Sequence, residues 1–185
     1  MENRMIRFIK VHSEQQIADI AYLAQEIWQE HYLPIVGQEQ IDYMLKKFQC
    51  ERAIDKQLTD GYKYYSVTYD GRIAGYMAVI SNVSDASLMI SKIYVRKSDR
   101  SCGLGKQMLE FVEELCRQRR IKKIWLTVNK NNRHSIEWYS RMGFTNNGPI
   151  VQDIGGGFVM DDFKMEKVIG SQTPTIDVLK ASHKE

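Results

Sequence analysis

The stretch Arg100-Ser101-Cys102-Gly103-Leu104-Gly105-Lys106 stands between an apolar run, Leu88 to Val95 (LMISKIYV), and an amphipathic stripe of Leu104, Met108, Phe111, Val112 and Leu115. The run reads as a strand and the stripe as a helix, so the glycines occupy a strand-to-helix loop. Such a loop turns free backbone amides toward one point, and with the positive helix pole they favour an anionic group such as a pyrophosphate. Arg100 and Lys106 add positive charge beside it. The alternative is a glycine-assisted turn without a ligand, because short glycine motifs are unspecific. The spacing matches neither a P-loop, which needs a Lys-Ser/Thr pair, nor a GxGxxG dinucleotide fingerprint.

Toward the C-terminus, Ile124 to Val128 (IWLTV) reads as a buried strand and Arg133 to Met142 as a helix closed by Gly143, with two further strands before Gly170. Arg117, Arg119 and Arg120 complement the negative pole of the preceding helix. Toward the N-terminus, Tyr62 to Ile80 is a hairpin turning at Asp70-Gly71, and Asn82 to Ser87 is turn-rich. Met5 to Lys10 alternates like a strand. Ser13 and Gln16 form a capping box ahead of Ile17, Ile20, Ala21, Ala24, Ile27 and Trp28, which predicts a helix to about Tyr32, before Pro34. Ile41, Met44, Leu45 and Phe48 form a second helical stripe, and Ile54 with Leu58 a short third one ending near Asp60-Gly61.

The chain has 185 residues, 43% apolar and 26% charged, with Lys plus Arg exceeding Asp plus Glu by 26 to 23. That length and balance predict one domain over 1–169 and a polar C-terminal tail over 170–185. No apolar run reaches the roughly 18 residues of a membrane span, and MENRMIRFIK lacks the apolar stretch of a signal peptide, so the expected location is cytoplasmic, away from membranes. Cys50, Cys102 and Cys116 form no CxxC pair, which indicates neither a disulfide framework nor a metal site. Lys122, Lys123 and the Arg117 to Arg120 cluster surround a helix-to-strand turn without an aromatic stacking platform. They read as a solvated face, not as a nucleic-acid site.

A second cluster, Asn132-Arg133-His134-Ser135-Ile136-Glu137-Trp138-Tyr139 before Arg141-Met142-Gly143-Phe144, complements the first. An apolar strand, RxxGxG, an amphipathic helix, a strand and NxxSxxxYxxxGF together resemble the GCN5-related N-acetyltransferase (GNAT) superfamily. The signature covers about Leu88 to Phe144, and the order of elements extends the likeness to about Met5 to Ile169.

The resemblance implies an α/β fold of the α+β type. Its central sheet is mixed but mostly antiparallel, splayed at the cofactor strand, with helices on both faces. It implies acetyl-CoA as cosubstrate, no metal, and direct attack by an amine on the thioester. By the family pattern, Arg100, Ser101, Cys102, Gly103, Leu104, Gly105 and Lys106 hold the CoA pyrophosphate. The edge of Ile93, Tyr94 and Val95 pairs with the pantetheine arm, as a strand edge binds an extended amide chain. Asn132 and Ser135 meet the same arm, and Tyr139 contacts the cofactor and protonates the departing sulfur. Plainer roles stand beside these: sheet core for Ile93 and Val95, helix capping for Asn132, and aromatic packing for Tyr139.

The general base stays open. Where many relatives carry a strand Glu, this chain has Ser91 and Lys92; a water chain, Asp85 or His31 are the candidates. Trp28, Tyr32, Tyr43 and Asn82 are expected around the acceptor. The helical pair near Tyr43-Met44-Leu45, Phe48 and Leu58 is loosely similar to PaiA-type polyamine acetyltransferases, and a polyamine would call for carboxylates such as Glu26, Glu30, Asp42 and Asp85. Other small amines, a protein N-terminus or a lysine are alternative acceptors. Many proteins of the family dimerise, so a homodimer is compatible with the resemblance. The rival function is a catalytically silent acyl-CoA-binding or sensing module, motivated by the missing strand carboxylate.

Overall fold

The computed structural model describes residues 5–170. Strand β1 (Ile6–Lys10) leads into helix α1 (Glu14–Val36), which starts at the capping box: the Ser13 hydroxyl accepts from the Gln16 amide and the Gln16 side chain from the Ser13 amide. The helix passes through Pro34 instead of ending near Tyr32. Pro34 forgoes one backbone bond in the last turn, and the packing of Tyr32 and Val36 on the core beneath α1 compensates. Gly37, at φ 79°, then closes the helix by donating its amide to the Leu33 carbonyl.

The second expected helix divides into α2 (Gln38–Met44) and a π-helical turn, Leu45–Gln49, followed by α3 (Glu51–Thr59). The wider turn seats Gln49 inside, where its Oε1 accepts from the Tyr76 hydroxyl at 3.2 Å.

Strands β2 (Lys63–Tyr69), β3 (Arg72–Asn82), β4 (Ser87–Val95), β5 (Lys123–Asn129), β6 (Thr145–Gly155) and β7 (Phe158–Val168) join β1 in one sheet, ordered β1-β2-β3-β4-β5-β7-β6. Asp70 and Gly71, at φ 49° and 80°, make the tight turn between β2 and β3. Helices α1 to α3 cover one face over Ile20, Leu23, Ile41, Ile54, Tyr64 and Tyr76. Helices α4 (Leu104–Gln118) and α5 (Arg133–Arg141) cover the other over Met77, Leu88, Met108, Val112 and Ile124. The mixed, mostly antiparallel sheet with helices on both faces is therefore present.

The sheet opens in its middle. β4 and β5, the parallel neighbours, share only the pairs Ser87–Lys123, Leu88–Ile124 and Met89–Trp125, after which β5 continues beside β7 alone. From Ile90 to Val95, β4 has no strand on its β5 side. On its β3 side, Ala78 faces Lys92 while Val79 faces Ile90, so Ser91 is an extra residue in a bulge.

The polar tail expected over 170–185 lies, apart from Gly170, outside the described residues. Among the described residues no helix is long and apolar enough to cross a membrane.

Candidate active site

The opening between β4 and β5 continues into a cleft of about 940 Å³, within the usual range for a small-molecule site. At its mouth a 3-10 turn, Lys97–Asp99, leads into the glycine loop. Ser101 at φ 67° and Gly103 at φ 79° adopt left-handed backbone just before the first turn of α4, the arrangement that turns successive amides outward. Arg100, Ser101, Gly103, Leu104, Gly105 and Lys106 all line the cleft. Cys102 is exposed and does not line it. Gly105 is small for a visible reason: a Cβ there would lie 3.1 Å from the Trp138 ring of α5, so the two sequence clusters pack against each other through it.

Asp99 anchors this loop from beneath. Its carboxylate, 1% exposed, accepts two bonds from the Arg72 guanidinium, at 2.9 and 2.5 Å. Asp99→Asn should cost about 2 kcal/mol, the scale of a hydrogen bond to a charged group, discounted because Arg72 is half exposed. For a chain of this size that is roughly 4–8 °C in Tm. Thermal unfolding with and without acetyl-CoA would measure it, and an unchanged Tm would refute the anchoring role.

Ile93, Tyr94 and Val95 line the cleft from the unpaired β4 edge. Ile93 and Val95 also pack into the sheet core through their side chains, which leaves the backbone groups of that edge without a strand partner on the β5 side. Arg100 donates from Nε to the Val95 carbonyl at 3.2 Å.

On the opposite wall, Asn132, Ser135 and Tyr139 line the cleft from α5 and its start. Asn132 caps the helix, its Oδ1 accepting from the Ser135 amide, while its Nδ2 meets His31 Nε2 at 3.1 Å. Tyr139 is buried between Trp138 and Phe144. Burial first, and the neighbouring Tyr32 second, hold its hydroxyl well above the usual phenol range.

Helix α1 brings Trp28, His31 and Tyr32 to the same opening. Trp28 stacks on Tyr32 with ring centroids 4.5 Å apart, and Tyr32 meets Tyr94 edge-on. Burial pushes the Tyr32 hydroxyl up to about 12, although Tyr94 and Asn132 face it. Burial, then the charges of Arg100 and His134, lower His31, which keeps its imidazole neutral at pH 7.

Two of the expected acceptor residues are elsewhere. Tyr43 does not line the cleft; its hydroxyl donates to the Ile154 carbonyl at 2.5 Å and its ring packs on Phe158. Asn82 sits exposed at the end of β3, away from the cleft, bonded to Ser84. The expected carboxylates are also off the lining: Glu26 pairs with Arg96, Asp42 accepts from Gln38, Asp85 accepts from Ser87, and Glu30 is absent from the cleft wall. Asp85 is thereby removed as a base.

The structure supplies a different carboxylate. Asp162 of β7, opposite Asn129 of β5, is 7% exposed and lines the cleft. Burial raises its pKa, the Thr127 hydroxyl partly offsets this, and neighbouring Asp161 adds to it. Among the described residues, no three His, Cys, Asp or Glu side chains gather to hold a metal ion.

A split sheet, a left-handed glycine loop before α4 and a buried tyrosine on α5 form one arrangement, and residues 19–144 match the acetyltransferase (GNAT) family. The chain belongs to that family. It has the GNAT fold and is an N-acetyltransferase, as the sequence motifs implied. An uncharacterized N-acetyltransferase in the pepI 3′ region of Lactobacillus delbrueckii subsp. lactis is 29% identical over 149 residues, covering 76% of this chain and 84% of that protein. A probable spermine N(1)-acetyltransferase of Bacillus subtilis subsp. natto is 27% identical over 132 residues, covering 68% and 84%. The PaiA N-acetyltransferase of Thermoplasma acidophilum, solved in complex with coenzyme A, shares the GNAT fold. It has a TM-score of 0.72 at 20% identity, over 89% of this chain and 99% of that one.

Proposed function

We propose that this GNAT enzyme works in the cytoplasm and moves an acetyl group from acetyl-CoA to the primary amine of a small molecule, by direct attack within a ternary complex. The observation that carries the reading is the divergence of β4 and β5 beyond Met89 and Trp125, with the Arg100–Lys106 loop at its mouth and Tyr139 on its wall. Left-handed Ser101 and Gly103 turn amides toward a pyrophosphate, and the free edge from Ile90 to Val95 offers backbone groups to an amide-bearing arm. Acetyl-CoA supplies an activated carbonyl and a thiol leaving group.

Tyr139 keeps its proton throughout the working pH range and donates to the developing thiolate. Its raised pKa makes hydrogen-bond stabilisation, followed by proton transfer as the sulfur departs, its contribution. The Ser91 bulge re-aims the backbone beside the reacting carbonyl, where a free amide meets the developing oxyanion. Asp162 takes the proton of the attacking amine. A buried carboxylate with a raised pKa is a better base than an exposed one, and it occupies the cleft where the cofactor strand carries none. His31, with Nε2 already engaged by Asn132 and its ring edge-on to that of Tyr32, positions both residues.

Asp162→Asn should preserve the Thr127 contact and lower kcat/KM about 100-fold, the low end of acid–base catalysis. The carboxylate acts when ionised, so wild-type activity falls as pH drops through its raised pKa, and the variant should lose that limb. A retained acid limb in the variant would remove Asp162 from the role.

The probable spermine N(1)-acetyltransferase relative supports an amine acceptor. The whole reading is tested by titrating the protein with acetyl-CoA in a calorimeter, then varying acetyl-CoA against an amine. One-to-one binding and intersecting initial-rate lines are expected; parallel lines would mean an acyl-enzyme and overturn direct transfer.

A further inference from the structure

Beyond Tyr32 and Tyr94 the cleft is lined by β4, α2, α3 and the turn between those helices, and this part of the wall carries Lys47, Lys56 and Lys92 against the single carboxylate Asp60. Lys92 follows the Ser91 bulge and lies two residues from Tyr94, so the two side chains share the face that packs toward α1 and α3. Lys92 is 5% exposed yet lines the cleft. Its ammonium donates to Gln57 Oε1 at 2.5 Å, an oxygen that also accepts from the Tyr64 hydroxyl, and it sits 5.3 Å from the Tyr64 ring centroid and 5.9 Å from that of Tyr62.

Among the described residues no carboxylate pairs with it. Burial alone lowers its pKa, to about 7, with no anion pulling the other way. Lys47, also on the cleft wall, bonds the Tyr43 hydroxyl and the Ile154 carbonyl but no carboxylate. Of the carboxylates on the wall, Asp60 is paired with Lys56 and Asp99 with Arg72. Asp162, across the opening near Tyr32, remains at the amine end.

A buried cation without a counter-ion is costly, and a ligand anion removes that cost. Resting on the transferase reading above, we propose that the acceptor is a small amine that also carries an anionic group. Its nitrogen approaches Asp162 and Tyr32, and its anion is received by Lys92. A carboxylate is the simplest case, which makes amino acids and their short homologues the substrate class. A polyamine would set further cations against Lys92 and Lys47, so this acceptor differs from the one in the spermine acetyltransferase relative's name.

The experiment compares kcat/KM for glycine, β-alanine and 4-aminobutyrate with that for their carboxamides, and adds phosphoethanolamine and spermidine. At least a 10-fold preference for the anionic member of a matched pair is expected, with β-alanine against phosphoethanolamine separating carboxylate from phosphate. In Lys92→Gln the preference should fall toward unity through a higher KM for the anionic amine, and Lys92→Arg should restore part of it. Acetyl-CoA titration of each variant checks that it is folded; if Lys92→Gln does not fold, Lys92→Met, which keeps the apolar stem and removes the charge, should lose the same preference. Equal or faster transfer to carboxamides or spermidine would overturn the anionic acceptor while leaving the transferase standing. A protein that binds acetyl-CoA and acetylates none of these amines, or any other amine, would overturn both.

Discussion

Gly105→Glu should weaken acetyl-CoA binding at least 100-fold, about 2.7 kcal/mol, while the protein stays folded. Two effects add. A side chain at 105 meets Trp138, since even a Cβ would lie 3.1 Å from its ring, and the carboxylate brings negative charge to the helix start where a pyrophosphate is expected. Gly105→Ala separates them, because Trp138 has to shift by only a few tenths of an ångström and no charge is introduced. Calorimetry should find a small loss for Ala and a large one for Glu, with both variants melting cooperatively. Undiminished binding by Gly105→Glu would show that the loop does not hold the phosphates.

The second large effect is expected at Tyr139. Removing its hydroxyl in Tyr139→Phe should lower kcat by about 100-fold and leave acetyl-CoA affinity within a factor of about three, the pattern of an interaction made in the transition state. The ring contacts with Trp138 and Phe144 survive the change, so stability should move little. A poorer leaving thiol should suffer more in the variant than a good one. Full turnover by Tyr139→Phe would reduce Tyr139 to a packed aromatic.

Features held within a few neighbouring residues were legible in the sequence. Ser13 and Gln16 announced the start of α1, and Asp70-Gly71 announced the hairpin, because capping and tight turns are short-range. The Arg100–Lys106 loop and the Asn132–Tyr139 cluster were legible as motifs, and the structure puts all but Cys102 of those named site residues on one cleft. Pro34 misled because the cost of one missing bond is local, whereas the packing of Val36 that offsets it is tertiary. The Ser91 bulge depends on backbone register with β3, which no side-chain pattern encodes. Asp162 escaped notice for a similar reason. It looks like one more polar residue of an alternating strand until β7 pairs with β5 and brings it beside Asn129 at the opening. Lys92 stood in the sequence only as the place where a carboxylate was missing; its enclosure by Gln57, Tyr62 and Tyr64 comes from α3, β2 and the connection between them, which precede it by some thirty residues.

The most direct measurement is mass analysis of the products after incubating the protein with acetyl-CoA and a primary amine, with released CoA thiol counted alongside. Acetylated amine and thiol appearing in equal amounts, only when all three components are present and with no acetyl group left on the protein, is the expected result. Tight acetyl-CoA binding with no amine-dependent product across the amine panel would instead describe a silent acyl-CoA-binding module and contradict catalysis at this cleft.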